Sequence, residues 1–169
     1  MTLVDSKGIE RFLKKLQSSP LHEFSSWPNK AIPNVCAGVY AIYESGGKLI
    51  YVGMAGAALT PDAVHRKTKE GKKSGLLDRL NSHATGYRSG DRFNIYIGDL
   101  YLLRTLTSQQ IEQIASGTLS FDSLIKEFIR RELCYRYVVA PYNQVRRIEA
   151  YIQTNGLGGF LPTINGRVL

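Results

Sequence analysis

The sequence predicts an α/β (α+β) fold: a small, mainly antiparallel sheet built on one β-hairpin and flanked by helices. Three observations predict it. Two short β-type runs, Gly38 to Tyr43 and Leu49 to Gly53, are separated by the turn-forming stretch Glu44-Ser45-Gly46-Gly47-Lys48, a hairpin signal. Apolar residues recur at helical spacing in segments on both sides of that hairpin. A chain of 169 residues, 43% hydrophobic, can fill a single core but not two large domains.

The elements follow in order. Ile9, Phe12, Leu13 and Leu16 fall at i, i+3, i+4 and i+7, which predicts an amphipathic helix over 6–17 with Asp5 or Ser6 as N-cap. Such a helix needs a partner surface, either the sheet or a second subunit. Pro20, Pro28 and Pro33 predict an ordered loop over 18–34. After the hairpin, 54–75 reads as a loop of small and basic residues ending in HRKTKEGKKSG. A helix is expected over Leu76 to Ala84, stopped by Gly86. Phe93, Ile95 and Ile97 alternate, predicting a strand over Arg92 to Leu100. Helices are expected at 108–116, with a Thr107-to-Gln110 capping box, and at 121–133 on Leu124, Ile125, Phe128 and Ile129. Cys134 to Ala140 reads as a strand ended by Pro141. Asn143 is placed as cap of a last helix over 144–154, and the glycines beyond it predict a loop-like C-terminus. The organisation expected is an N-terminal extension, residues 1–37, and one domain over 38–169 carrying a basic insertion at 54–75.

Composition narrows the function. Twenty-two Lys and Arg against fourteen Asp and Glu give a net charge of +8, which favours polyanionic partners. Five of those net charges lie in one stretch: Arg66, Lys67, Lys69, Lys72, Lys73, Arg79, Arg88 and Arg92 against Glu70, Asp78 and Asp91. Backbone phosphate contacts from such a stretch make binding salt-dependent, whereas a merely solvated loop does not bind. No apolar run reaches the roughly 18–20 residues a bilayer span needs, and the N-terminus mixes charge into its hydrophobics, so no membrane and a cytoplasmic location are expected. Cys36 and Cys134 have no CxxC spacing, so neither a zinc site nor a disulfide framework is read from them.

Three groups of residues carry candidate chemistry. Tyr40 and Tyr51 share a sheet face if the hairpin loop is even, and a Ser45-Gly46 turn would pair them directly; an odd loop without a bulge would separate them. Strands favour tyrosine anyway, so the pair alone decides nothing. Arg79 and His83 lie one turn apart beside the buried stripe Leu76, Leu77, Leu80 and Ala84. An Arg fork can hold phosphate oxygens, and a His can shuttle a proton; the plain alternative is two surface side chains. Glu149 flanks the apolar face Val145, Ile148 and Ile152, a rim position suited to a single oxygen ligand for Mg²⁺; the plain alternative is a helix-surface Glu paired with Arg146 or Gln153.

Taken in order, these residues resemble the GIY-YIG endonuclease family. Gly38-Val39-Tyr40 is similar to the first family tripeptide and Tyr51-Val52-Gly53 to the second. GLLDRLNSHATG resembles the helix that carries the family's arginine, here Arg79. RRIEAYIQ resembles the helix with its metal-binding glutamate, here Glu149, and Pro162-Thr163-Ile164-Asn165 resembles its Pro-x-x-Asn. The long basic insertion and His83 are more similar to the restriction-enzyme branch. The resemblance implies one-step, Mg²⁺-dependent hydrolysis of double-stranded DNA, with Mn²⁺ as substitute. Tyr40 would deprotonate water, its pKa lowered by Arg79 and the metal. Tyr51 and Arg79 would bind the scissile phosphate, His83 would bond a tyrosine, Glu149 would hold the ion, and Asn165 would brace the site. Arg66, Lys67, Lys69, Lys72, Lys73 and Arg88 would contact DNA, and a homodimer would suit palindromic sites. Two rivals stand beside this reading: a non-catalytic nucleic-acid-binding module of the same fold, and a repair or structure-specific nuclease. A protein-interaction domain using the N-terminal helix is a third.

Overall fold

The computed structural model describes residues 6–165. Helix α1 (Ser6–Ser18) is followed by β1 (His22–Glu23), β2 (Val35–Cys36), β3 (Gly38–Glu44) and β4 (Leu49–Ala55). Then come α2 (Pro61–Lys69), β5 (Ser74–Gly75), α3 (Leu76–Thr85), α4 (Arg92–Ile97), α5 (Ser108–Ala115), α6 (Phe121–Glu132), β6 (Leu133–Val139) and α7 (Val145–Asn155). The main sheet has the order β1-β6-β3-β4, antiparallel throughout, and β2 pairs with β5 in a separate parallel ladder. The α+β architecture matches the sequence expectation, and no helix among the described residues is long and apolar enough to cross a membrane.

Period-2 alternation along β3 assigns its side chains to two cores. Tyr40 and Ile42 face a cluster formed with Leu76, Leu80, Phe93, Ile125 and Ile129, so α3, α4 and α6 cover that side. Val39 and Ala41 face Phe12, Leu16, Val145, Ile148 and Ile152, so α1 and α7 cover the other. The N-terminal helix therefore packs on the sheet of its own chain. Phe24, Trp27 and Ile32, within the 18–34 segment, are buried in the first cluster. Trp27 Nε1 also donates to Asn81 Oδ1 at 3.0 Å. That segment is ordered as expected, but it also supplies the edge strand β1.

Several expectations are corrected. The 54–75 loop contains α2, whose first turn has Thr60 as cap, its hydroxyl accepting from Ala63 N at 3.3 Å, and Pro61 at the first helical position. The strand expected over 92–100 is α4 followed by a π-type turn at Gly98–Leu102. Phe93 and Ile97 are four apart as well as even-spaced, so both periods fit so short a window, and Ile95 is the one left exposed. The helix wins because Asp91 caps it, its Oδ1 accepting from Phe93 N at 3.0 Å and Asn94 N at 3.4 Å. Asn143 does not cap α7; Gln144 occupies that position without a side-chain bond. Asp5, one of the two caps considered for α1, lies outside the described residues. The capping box of α5 is present as expected, with Gln110 N donating to Thr107 Oγ1 and Thr107 N to Gln110 Oε1. Gly86 ends α3 in the left-handed conformation, φ 75°.

Candidate active site

The hairpin register places the two tyrosines. Tyr40 lies opposite Gly53 and Tyr51 opposite Ile42, with a bulge between Ile42 and Tyr43. The direct pairing through a Ser45-Gly46 turn does not occur, yet both phenols share one face, diagonal to each other with ring centroids 6.4 Å apart. Gly53 makes this arrangement fit: a Cβ there would overlap the Tyr40 hydroxyl and lie 2.5 Å from its Cζ. The Tyr40 ring occupies the space a side chain would need.

Tyr40, Tyr51, Arg79, His83 and Glu149 line one cavity of about 350 Å³, together with Asp91 and Arg92. They come from β3, β4, α3 and α7. Arg79 is exposed on α3, whereas His83, one turn further on, is only 1% exposed. Phe93 seals it, with ring centroids 4.6 Å from His83 and 5.1 Å from Tyr51. Glu149 arrives from the opposite helical layer, since α7 packs along the edge strand β4. The cavity thus sits where the two layers meet around the sheet edge.

One residue that sequence reasoning missed completes the site. His83 Nδ1 lies 2.7 Å from Asp91 Oδ2, and His83 Nε2 lies 2.7 Å from the Tyr40 hydroxyl. A carboxylate only accepts hydrogen bonds, so Nδ1 carries the proton, and in the neutral imidazole Nε2 accepts from the Tyr40 O–H. Asp91 is 4% exposed. Its signal in the sequence was an N-cap before Phe93-Asn94, hidden by the strand assignment. Burial raises the Asp91 pKa, but the hydrogen bonds from His83 and the Asn94 N–H, with the positive field of Arg79, outweigh it and hold the carboxyl below its ordinary value.

The Tyr40 pKa moves opposite to expectation. Complete burial pushes it well above 10, and Arg79 offsets only part of that rise. Tyr51 is pushed up to about 12, chiefly by burial. Both are therefore proton-bearing phenols at neutral pH, and Tyr40 can accept a proton only as its own leaves. Because the folded-state values are raised, the tyrosines contribute stability below the ordinary phenol pKa of about 10 that is lost as pH rises toward 12. Tyr101 and Tyr135, also raised to about 12 by burial, add to this. Urea midpoints should therefore fall steeply between about pH 10 and 12, in step with phenolate absorbance.

Glu149 is the carboxylate available to a metal. Both Asp91 oxygens are engaged, and among the described residues no three His, Cys, Asp or Glu side chains converge as a metal group. A single carboxylate is too few for zinc, which takes three or four protein ligands. It fits Mg²⁺, which keeps most of its waters and adds substrate phosphate oxygens. Burial raises the Glu149 pKa above the usual carboxylate value, opposed by the Met54 N–H, Arg146 and Arg79.

Asn165 lies outside the cavity and braces it. Its Oδ1 accepts from Val52 N and its Nδ2 donates to Val52 O, both at 2.6 Å. The side chain thus imitates a neighbouring strand on the free edge of β4, next to Tyr51. Asn165→Ala should lower stability by about 1–2 kcal/mol in urea titrations, the worth of two such bonds. The basic residues separate. Lys67 lines a cleft of about 460 Å³ with Asp78, Arg79 and Arg146, adjoining the cavity of the two tyrosines at Met54 and Arg79. Arg66, Lys69 and Lys73 are exposed, and Lys72 pairs with Glu70 at 2.9 Å. Arg88 is held by Asp122 at 2.6 Å and lies over the Phe121 ring. No protein-family model, curated protein or solved structure matches the chain.

Proposed function

We propose that the protein is a Mg²⁺-dependent endonuclease that hydrolyses phosphodiester bonds of double-stranded DNA, of the restriction type within the GIY-YIG family it resembles. The observation that carries the proposal is the convergence of Tyr40, Tyr51, Arg79, His83 and Glu149 on one cavity beside a basic cleft. A module that only bound nucleic acid would have no use for a buried Tyr-His pair beside a rim carboxylate. Arg79 and the Tyr51 hydroxyl donate to the scissile phosphate, and Tyr40 orients the attacking water. When bound at Glu149, Mg²⁺ would supply a Lewis acid for the charge on the leaving oxygen. Lys67 and Arg146 line the adjoining cleft, where the flanking backbone would run.

Two measurements test this. Incubation of genomic DNA with the protein and Mg²⁺, followed by sequencing of the ends, should give discrete sites. Ends confined to lesions or branches would make it a repair nuclease, and salt-sensitive binding without cleavage under any metal would make it a binding module. Lys67→Ala should weaken DNA binding uniformly across sequences and reduce the slope of log K against log salt by about one.

A further inference from the structure

We infer that Asp91 is a positioning residue that sets the direction of the hydrogen-bond chain from its carboxylate through His83 to Tyr40, making His83 Nε2, reached through the phenol, the final proton acceptor. The chemistry rests on the nuclease reading; the direction of the chain does not.

The chain has one polarity because its first member is a carboxylate. Asp91 Oδ2 fixes the proton on Nδ1, so Nε2 presents a lone pair to the Tyr40 O–H, and both links are 2.7 Å long. The carboxylate cannot swing away, since its Oδ1 is occupied by the first N–H groups of α4. The loop between α3 and α4 is held as well: Asn94 Nδ2 donates to Ser82 O at 3.1 Å and Tyr87 O at 2.9 Å. Tyr40 and His83 are each 1% exposed, so bulk water does not compete for these bonds. With its hydrogen aimed at Nε2, the Tyr40 oxygen keeps its lone pairs for the cavity. Tyr40, Tyr51 and Asp91 face the imidazole, Arg79 flanks it on its own helix, and Arg92 and Glu149 share the cavity.

The step balances within these groups. A water O–H breaks and its proton goes to the Tyr40 oxygen, while the Tyr40 proton passes to Nε2. The electron pair left on the water oxygen forms the new P–O bond as the bond to the leaving oxygen breaks with its electrons. The imidazolium that results faces the Asp91 charge and afterwards loses its proton through Tyr40 to solvent, while the leaving oxygen takes its proton from solvent on the far side of the phosphorus. This arrangement removes the difficulty that a buried phenol is a poor base, because Tyr40 never has to be ionised beforehand.

Asp91→Asn supplies the test. Asparagine has one oxygen for two duties; if that oxygen keeps the cap of α4, its N–H₂ donates to Nδ1 and drives the His83 proton to Nε2, cutting the chain. In a Ser-His-Asp triad the same change lowers kcat about 10⁴-fold through the wrong tautomer. Asp91→Ser is the companion variant, since serine keeps a good N-cap oxygen and cannot reach His83 with a charge. ¹⁵N-labelled histidine NMR of the unbound protein should place the His83 proton on Nδ1 in wild type and move it to Nε2 in Asp91→Asn. Both variants should lose at least about 10²-fold in kcat with unchanged DNA affinity and a changed pH profile. A wild-type proton on Nε2, or Asp91→Ser with wild-type kcat and pH profile, overturns the inference. If wild type cleaves no DNA the nuclease reading falls, and the tautomer still decides the direction of the chain.

Discussion

Glu149→Gln should abolish cleavage, lowering the rate by about 10³-fold or more, while the protein stays folded and binds duplex DNA. Glutamine matches glutamate in shape, so the half-buried rim position on α7 remains filled, and the Met54 N–H bond can persist to the amide oxygen. What is lost is the Glu149 negative charge; both Asp91 oxygens are already engaged, so that carboxylate cannot stand in for it. Removing a single group aimed at charge developing in a transition state costs about 10²–10³ in kcat, and loss of the metal adds to it. Plasmid nicking rates measured beside DNA binding without metal separate the two effects. The substitution should raise stability slightly, since burial of the ionised carboxylate is unfavourable, as its raised pKa indicates.

Gly53→Ala should be nearly as damaging and by a different route. The added methyl would collide with the Tyr40 hydroxyl and Cζ and stand 3.0 Å from Tyr51 Cε1. The Tyr40 ring must shift, which breaks its bond to His83 and disturbs the packing beneath it. Overpacking of a filled core costs about 1–3 kcal/mol, and an orphaned buried hydrogen-bonding group a similar amount. A melting temperature lower by several degrees and a kcat lower by about 10²-fold are expected. Calorimetry and single-turnover cleavage would read the two separately. Gly38 is the comparison: a Cβ there would strike Leu76 and the Val138 carbonyl, away from the phenols. Gly38→Ala should therefore cost stability with little specific loss in kcat per folded molecule.

The hairpin, α1, α3, α5, α6 and β6 were legible because each spans enough residues for one period to dominate, and the capping box of α5 and the Gly86 stop of α3 form as expected. Helix α4 was not. Its six residues contain apolar side chains at spacings two and four, and only the tertiary placement of Asp91 decides between strand and helix. That same ambiguity concealed Asp91 as the partner of His83, eight residues away along a loop whose path local pattern does not determine. His83 itself reads from the sequence as a helix-flank or surface residue, because Phe93, which seals it, is expected in a strand. The tyrosines show a different limit. Their shared face could be stated from hairpin parity, but the bulge at Ile42/Tyr43 and the vacancy at Gly53 set the diagonal register. The direction of the Tyr40 pKa depends on burial, which no residue spacing reveals.

Mg²⁺-dependent cleavage through Glu149 is tested most directly with supercoiled plasmid incubated with the purified protein and Mg²⁺, beside Glu149→Gln and a chelator control. Nicked and linear products are expected with wild type and Mg²⁺, and intact plasmid with the variant or with the metal removed. Intact DNA from wild type on every duplex tested with Mg²⁺ or Mn²⁺, or undiminished cleavage by Glu149→Gln, would contradict it.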